Sequence, residues 1–371
     1  MNFDFSEELH QLRDQARRFL TEHASPTHVR KVLDGAAPYD SALWKGMAEM
    51  GWLGAAVPEQ FGGAGLGHEG LCVLAEEVGR SLAPVPFASS VYLAAEAIQL
   101  AGSEAQKRQY LPKLATGEMI GTLAWAEGAG NPGPTGFNAR ISGGKLSGSK
   151  WPVPDGAIAH IAIVSAQDDG GASALAIVDL TKPGVTRQPL ETVDPSRPQI
   201  RQDFSAAAAE PLGRPGDGKL LLKQITDRAA ILMAFEQVGG AAACLEMATA
   251  YAQERYAFGR PIGSFQAIKH KLADVYVANE LARSNAYYGA WALATGSAEL
   301  PLAAATARVA ATEAFHLASK ENIQTHGGMG FTWDSNCHLY YRRAKLLALT
   351  LGSPPYWKDR LIAELDLRNA A

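Results

Sequence analysis

Cysteine is scarce in this chain. Cys72, Cys244 and Cys337 are the only three in 371 residues and share no paired spacing, which excludes a disulfide scaffold. Charge of one sign is lacking as well. Thirty-four Lys and Arg against 38 Asp and Glu leave a net charge of −4, so there is no electrostatic case for nucleic acid or an anionic membrane as main partner. No apolar run reaches the roughly 18 residues of a spanning helix without a charge or proline. The most tempting stretch, Leu82 to Gly102, contains Pro84, Pro86 and Glu96. The opening Met1-Asn2-Phe3-Asp4-Phe5-Ser6-Glu7-Glu8 is acidic at once and has no basic-then-apolar signal layout. These absences set the expectation of a reducing, cytoplasmic setting. There is no internal repeat, and Ala206 to Ala209 is too short a tract to matter.

An apolar share of 47% excludes disorder. The length exceeds the roughly 250–300 residues at which single cores stop growing, so two or three packed regions are expected. Three textures follow one another. In the first, residues 1–118, Leu9, Leu12, Ala16, Phe19 and Leu20 recur at helical steps. Ser41 can cap a further helix that Gly51 ends, and Val57 to Gly67 is a glycine-rich loop before a helix from His68 to Val78. In the second, residues 119–220, short runs such as Ala159 to Val164 and Ala174 to Val178 lie between Gly, Pro, Asp and Ser clusters. Gly143-Gly144 and Asp169-Gly170-Gly171 suit hairpin turns. In the third, residues 221–371, Phe265, Ile268, Leu272, Val275 and Asn279 keep helical spacing, and Leu302 to Leu317 is Ala-rich. The expected fold is mixed α and β: a helical domain, an antiparallel sheet domain and a helical bundle that also buries surface between subunits.

Two segments carry chemistry. Arg255-Tyr256-Ala257-Phe258-Gly259-Arg260-Pro261-Ile262-Gly263-Ser264-Phe265-Gln266 joins one long helix to the next, with Ser264 able to cap the second. An arginine before an aromatic, with an amide just inside a helix start, can hold a pyrophosphate and a base. The same residues also suit an ordinary helix-to-helix loop with a surface arginine. Gln324-Thr325-His326-Gly327-Gly328-Met329-Gly330-Phe331 lets backbone amides approach a ligand, and a helix C-cap explains it equally well. His326 reads as a structural histidine, since no spaced Cys or carboxylate cluster accompanies it as a metal site requires.

Together the two segments, with Leu272-Ala273-Asp274, Tyr341-Arg342, Ala344-Lys345, and Leu212-Gly213 with Gly216, resemble the acyl-CoA dehydrogenase family over essentially the whole chain. The resemblance implies an N-terminal helical domain, a middle β domain, a C-terminal four-helix bundle, and FAD at a subunit interface. It assigns contacts to the adenosine pyrophosphate half of a neighbour's FAD to Arg255, Phe258, Phe265 and Gln266, then to Gln324, Gly327 and Gly328. A guanidinium, amide donors and close backbone are the groups a dinucleotide needs.

The departures lie elsewhere. Family chemistry removes a proton alpha to a thioester carbonyl, which needs a carboxylate placed over it. Most members set that Glu before a Gly-Thr or Gly-Ser pair, after an Arg-Asp-Ala-Lys run. Here the run is Arg342-Arg343-Ala344-Lys345 and the base position holds Leu351, before Gly352-Ser353. The alternative position used by a minority of members falls at Ala229. Glu236 is seven residues further, about 10 Å along the axis, and suits a solvated or helix-pairing role better than that of a base. The family's Thr-Glu-Pro flavin cradle reads Ala126-Glu127-Gly128-Ala129-Gly130-Asn131-Pro132, and its Lys-x-Trp-Ile-Thr reads Lys150-Trp151-Pro152-Val153-Pro154. An indole offset by one residue in a strand faces the other side, so Trp151 is expected to pack rather than stack on flavin.

No catalytic residue and no metal ligand is therefore assigned. The pattern resembles the degenerate, base-lacking subunit of heteromeric acyl-CoA dehydrogenases of sterol side-chain breakdown. It implies FAD, an acyl-CoA substrate, a paralogous partner chain in an α2β2 heterotetramer, and electron-transfer flavoprotein as acceptor. A self-sufficient homo-oligomer with Glu236 as relocated base, a flavin-dependent monooxygenase on the same fold, and a flavin-free scaffold are the competing readings.

Overall fold

The computed structural model describes residues 5–128, 130 and 137–370. They form two compact units, one of Arg30–Leu71 and Pro84–Ala229, the other of Met1–Val29, Cys72–Ala83 and Ala230–Ala371.

The first unit is built on a sheet. Its strands are β1 (Gly121–Ala124), β2 (Arg140–Ser142), β3 (Lys145–Pro154), β4 (Ile161–Gln167), β5 (Ser173–Asp179), β6 (Val185–Leu190), β7 (Gln199–Ala208) and β8 (Glu210–Leu212), in the order β6-β7-β3-β2-β4-β5-β8 with β1 beside β4. The pairing is antiparallel except where β1, and one residue of β2, run parallel to β4. The uninterrupted apolar run in β4 fits this position, because neighbours cover both of its faces and its first six residues are buried. Gly143 and Gly144, both at positive φ, make the β2–β3 hairpin turn. Helix α2 (Pro26–Leu33) ends in the same unit, and helices α3 (Ser41–Glu49), α5 (Glu96–Ala101) and α6 (Glu104–Ala115) belong to it. Asp40, one residue earlier than the expected Ser41, caps α3 by accepting from the Leu43 amide at 3.0 Å. A carboxylate at this place also favours the positive helix start. A π-helical segment, Ala88–Ala95, runs directly into α5.

The second unit is a helical bundle of α1 (Glu7–His23), the last part of α4 (Gly67–Ser81), most of α7 (Gly218–Glu254), α8 (Gln266–Ala294), α9 (Leu300–His326), α10 (Cys337–Leu349) and α11 (Pro354–Ala370). From Ala230 to Ala241 every residue of α7 is buried, as a helix apolar on all sides must be. By length and composition α7 could cross a membrane, but 78% of its most apolar window is covered by protein. Gly79 and Gly239 let α4 and α7 touch backbone to backbone. A Cβ on either would lie 1.9 Å from a carbonyl oxygen, that of Glu236 or of Glu76, so only glycine fits.

Candidate functional site

The bundle unit presents both nucleotide-type segments. After Glu254 the chain makes a two-residue hairpin, pairing Tyr256 with Pro261 and Ala257 with Arg260. Phe258 and Gly259 form its tip at φ 52° and 76°, the geometry of a type I′ turn. Glycine tolerates it and phenylalanine does not, at a cost of about 1–3 kcal/mol. Phe258 is also 95% exposed. A strained, fully solvated aromatic is unfavourable in an isolated chain and points to a role in contact with something else. Behind the tip, the Arg260 guanidinium lies 4.0 Å from the centre of the Phe265 ring, and Phe258 meets that ring edge-on at 6.2 Å. Arg260 stands outside the residues that the family resemblance assigns. Arg255 and Gln266 are exposed. Ser264 does not cap α8: its hydroxyl donates to the Pro261 carbonyl, and Phe265 occupies the N-cap without a side-chain bond. The first amides of α8 therefore keep no side-chain acceptor, which is the arrangement an anion uses.

The second segment closes α9. Gln324 is exposed, and Gly327, at φ 59°, and Gly328 have open space where a side chain would stand. A ligand can thus reach the main chain here. Phe331 and Trp333 follow, 76% and 51% exposed. The two segments are brought together at their roots. The His326 ring stacks on Tyr251, one turn before Arg255, with centroids 4.2 Å apart, and its Nδ1 lies 2.8 Å from the Asn322 carbonyl oxygen. His326 is thus a packed, hydrogen-bonded histidine.

The base position of the same unit is sealed. Leu351 is 3% exposed at φ 67°, and the Trp357 indole donates to its carbonyl at 3.1 Å. Arg308, 1% exposed, donates to the carbonyls of Leu347 and Thr350 and to Gln237 Oε1 at 2.6 Å. It closes the C-terminal end of α10 as a cation should. Arg343 stands where the family run has Asp, and its Nη1 is 3.7 Å from Oε1 of Glu236; both side chains are buried. Burial draws the Arg308 guanidinium down to about 9, against an opposing pull from Glu236. Glu236 is therefore a counter-ion inside the bundle, the helix-pairing role rather than a solvated one.

In the sheet unit, Ala126 is buried and carries no hydroxyl. Of the cradle segment, Ala129, Asn131 and Pro132 lie outside the described residues. Glu127 accepts from the amides of Asn138 and Ala139 at 2.7 and 3.0 Å and from Lys150 Nζ at 2.7 Å. Lys150 is fully buried and also donates to Ser165 Oγ at 3.0 Å. Burial pulls its ammonium down to about 8, with Glu127 partly offsetting this. Trp151 exchanges backbone bonds with Ala126 and Gly128. These residues lock the loop to β3, and position 126 carries no side-chain hydroxyl.

Fold and motifs define the class: a chain of helices, then a sheet, then a helical bundle, of the dehydrogenase type. Residues 6–118 match the family model "Acyl-CoA dehydrogenase, N-terminal domain" and residues 216–360 match "Acyl-CoA dehydrogenase, C-terminal domain". The chain belongs to the acyl-CoA dehydrogenase family, whose members are oxidoreductases. It is 34% identical over 360 residues to acyl-CoA dehydrogenase IpdE2 of Mycobacterium tuberculosis, covering 97% of this chain and 98% of that one. Among solved structures it is similar to the Tcur3481-Tcur3483 steroid ACAD, at TM-score 0.90 and 34% identity over 98% and 99% of the two chains. It is also similar to the ChsE4-ChsE5 complex of Mycobacterium tuberculosis, at TM-score 0.90 and 27% identity over 99% of each.

Proposed function

We propose that this chain is the base-lacking subunit of a heteromeric acyl-CoA dehydrogenase acting on a sterol-derived or related lipid acyl-CoA. It lends the Arg255–Gln266 and Gln324–Gly328 arms to a composite FAD site shared with a paralogous chain. The observation that carries this is the contrast within the bundle unit. The nucleotide arms are intact and solvent-facing, whereas position 351 holds a buried leucine behind a cation cluster.

The donor set suits the adenosine pyrophosphate half of FAD. Arg255 offers a charge-assisted contact, Gln266 and Gln324 offer amides, Gly327 and Gly328 offer main chain, and Phe258 offers a ring face. These residues would hold FAD, which would supply the acceptor for a hydride leaving the acyl β-carbon. This chain's residues hold and orient the cofactor, and the α-proton goes to a carboxylate of the partner. Electron-transfer flavoprotein is the proposed acceptor. The exposed ridge of Tyr276, Val277 and Leu281 on α8 adds apolar surface suited to subunit contact. A relocated base at Glu236 is disfavoured by its burial beside Arg343.

The test is to purify the chain alone and co-expressed with a dehydrogenase paralog that retains its glutamate, then measure flavin per chain and acyl-CoA oxidation. Flavin and turnover only in the co-expressed complex are expected. Full flavin occupancy with turnover by the lone chain would overturn the proposal.

A further inference from the structure

The two nucleotide arms are separate excursions of the chain, one leaving the end of α7 and the other the end of α9. Each is exposed. Composite binding needs them at a fixed spacing, because a charged contact and a main-chain contact on one dinucleotide lose their joint value when the arms move independently. Tyr251 and His326 are the residues placed to fix it. Tyr251 lies on α7, and the Arg255 amide donates to its carbonyl at 2.8 Å. His326 immediately precedes Gly327. Their rings are nearly parallel, at an interplanar angle of 26° and a centroid separation of 4.2 Å.

His326 is itself held from behind. Its Nδ1 is 2.8 Å from the Asn322 carbonyl oxygen, an acceptor, so Nδ1 carries the proton and donates. This fixes the ring plane. The imidazole is thus presented edge-fixed and face-on to the tyrosine. At the far end of the same arm, Met329 and Phe331 are exposed, while Gly330 between them is buried against the end of α9. The stack at the root tethers one arm to the other, beside the ion pair of Lys271 Nζ on α8 with Glu321 Oε2 on α9 at 3.3 Å.

We infer that Tyr251 and His326 form an aromatic clasp that positions the Arg255–Gln266 and Gln324–Gly328 arms for one dinucleotide. The clasp acts through ring stacking and not through a bond from Nε2. Neither residue touches the reacting atoms; both are positioning residues. The inference rests on the proposed nucleotide role of the arms.

The experiment uses the co-expressed complex, with FAD affinity read by flavin fluorescence on titration into flavin-stripped protein and folding read by thermal melting. His326→Ala and Tyr251→Ala are each expected to weaken FAD binding about tenfold, the size of a lost aromatic pair. His326→Phe, which keeps a ring but no nitrogen, is expected to restore affinity to within about threefold of the unsubstituted complex. The Tyr251→Ala/His326→Ala double variant is expected to be no weaker than either single one. Wild-type affinity in His326→Ala would overturn the clasp, as would additive losses in the double variant. Failure of His326→Phe to rescue would overturn the claim that ring stacking is what positions the arms. Arg255→Ala separates the two levels. If it weakens binding while His326→Ala does not, the clasp alone fails; if Arg255→Ala also leaves binding unchanged, the nucleotide reading fails with it.

Discussion

Replacing Glu236 by Gln removes the carboxylate that faces Arg343 and leaves two buried guanidiniums, Arg308 and Arg343, in the bundle interior. The ion pair spans 3.7 Å with both side chains at 1% exposure or less, so solvent screening does not dilute it. At an effective dielectric of about 20, two charges at that distance attract by roughly 4–5 kcal/mol. Breaking a buried pair from one side typically costs about 3–5 kcal/mol. Glu236→Gln should therefore lower stability by about that amount and the melting temperature by on the order of 5–10 °C. Urea denaturation and thermal melts of the complex provide the measurement. Adding Arg343→Met should recover at least half of the loss, since the orphaned cation is then removed as well. A Glu236→Gln protein with unchanged stability would refute the counter-ion assignment. Unchanged stability together with abolished acyl-CoA turnover would make Glu236 the base after all.

Three further outcomes are expected. Lys150 releases its proton near pH 8 in the native protein, against 10.5 for the ordinary side chain. Between these values the unfolded chain binds the extra proton, so stability rises with pH, by roughly 3 kcal/mol across the window. Lys150→Met should abolish that rise in urea titrations at pH 7.5 to 10.5 (about the two ends of the window); an unchanged slope would contradict it. Gly239→Ala places a Cβ 1.9 Å from the Glu76 carbonyl oxygen and should destabilise by about 2–3 kcal/mol through forced separation of α4 and α7; a neutral result in chemical denaturation would show that the helices can part freely. Leu351→Glu should not give the lone chain acyl-CoA oxidation, because Ala126 and Pro152 remain without hydroxyls; turnover above background in a dye-reduction assay would count against the base-lacking reading.

Much of the arrangement was legible before any coordinates. Helical spacing at Ala16 and Leu20 foretold the buried edge of α1, and the Gly143-Gly144 pair foretold the β2–β3 turn. Those features are local, set by periodicity and by which residues accept positive φ. Helix starts were less secure. Ser41 and Ser264 both looked like caps, yet Asp40 caps α3 and nothing caps α8. A cap depends on where the backbone leaves the helix, a choice made one residue either way by tertiary packing. The parallel entry of β1 beside β4 was equally hidden, since strand alternation is the same for either direction.

The order of motifs, the missing carboxylates at 229 and 351, and the altered flavin cradle belong to the sequence alone, because each is a matter of which chemical group is present. Folding decided what those groups do. Glu236 could have been solvated, catalytic or paired, and only its placement opposite Arg343, with water excluded, made it a counter-ion. Phe258 could have been core or tip, and the hairpin made it an exposed tip. Tyr251 and His326 lie 75 residues apart and carry no common motif; two long helices bring their rings within 4.2 Å. Residue type fixes the available chemistry, whereas distance and dielectric fix its use, and both of these are properties of the packed chain.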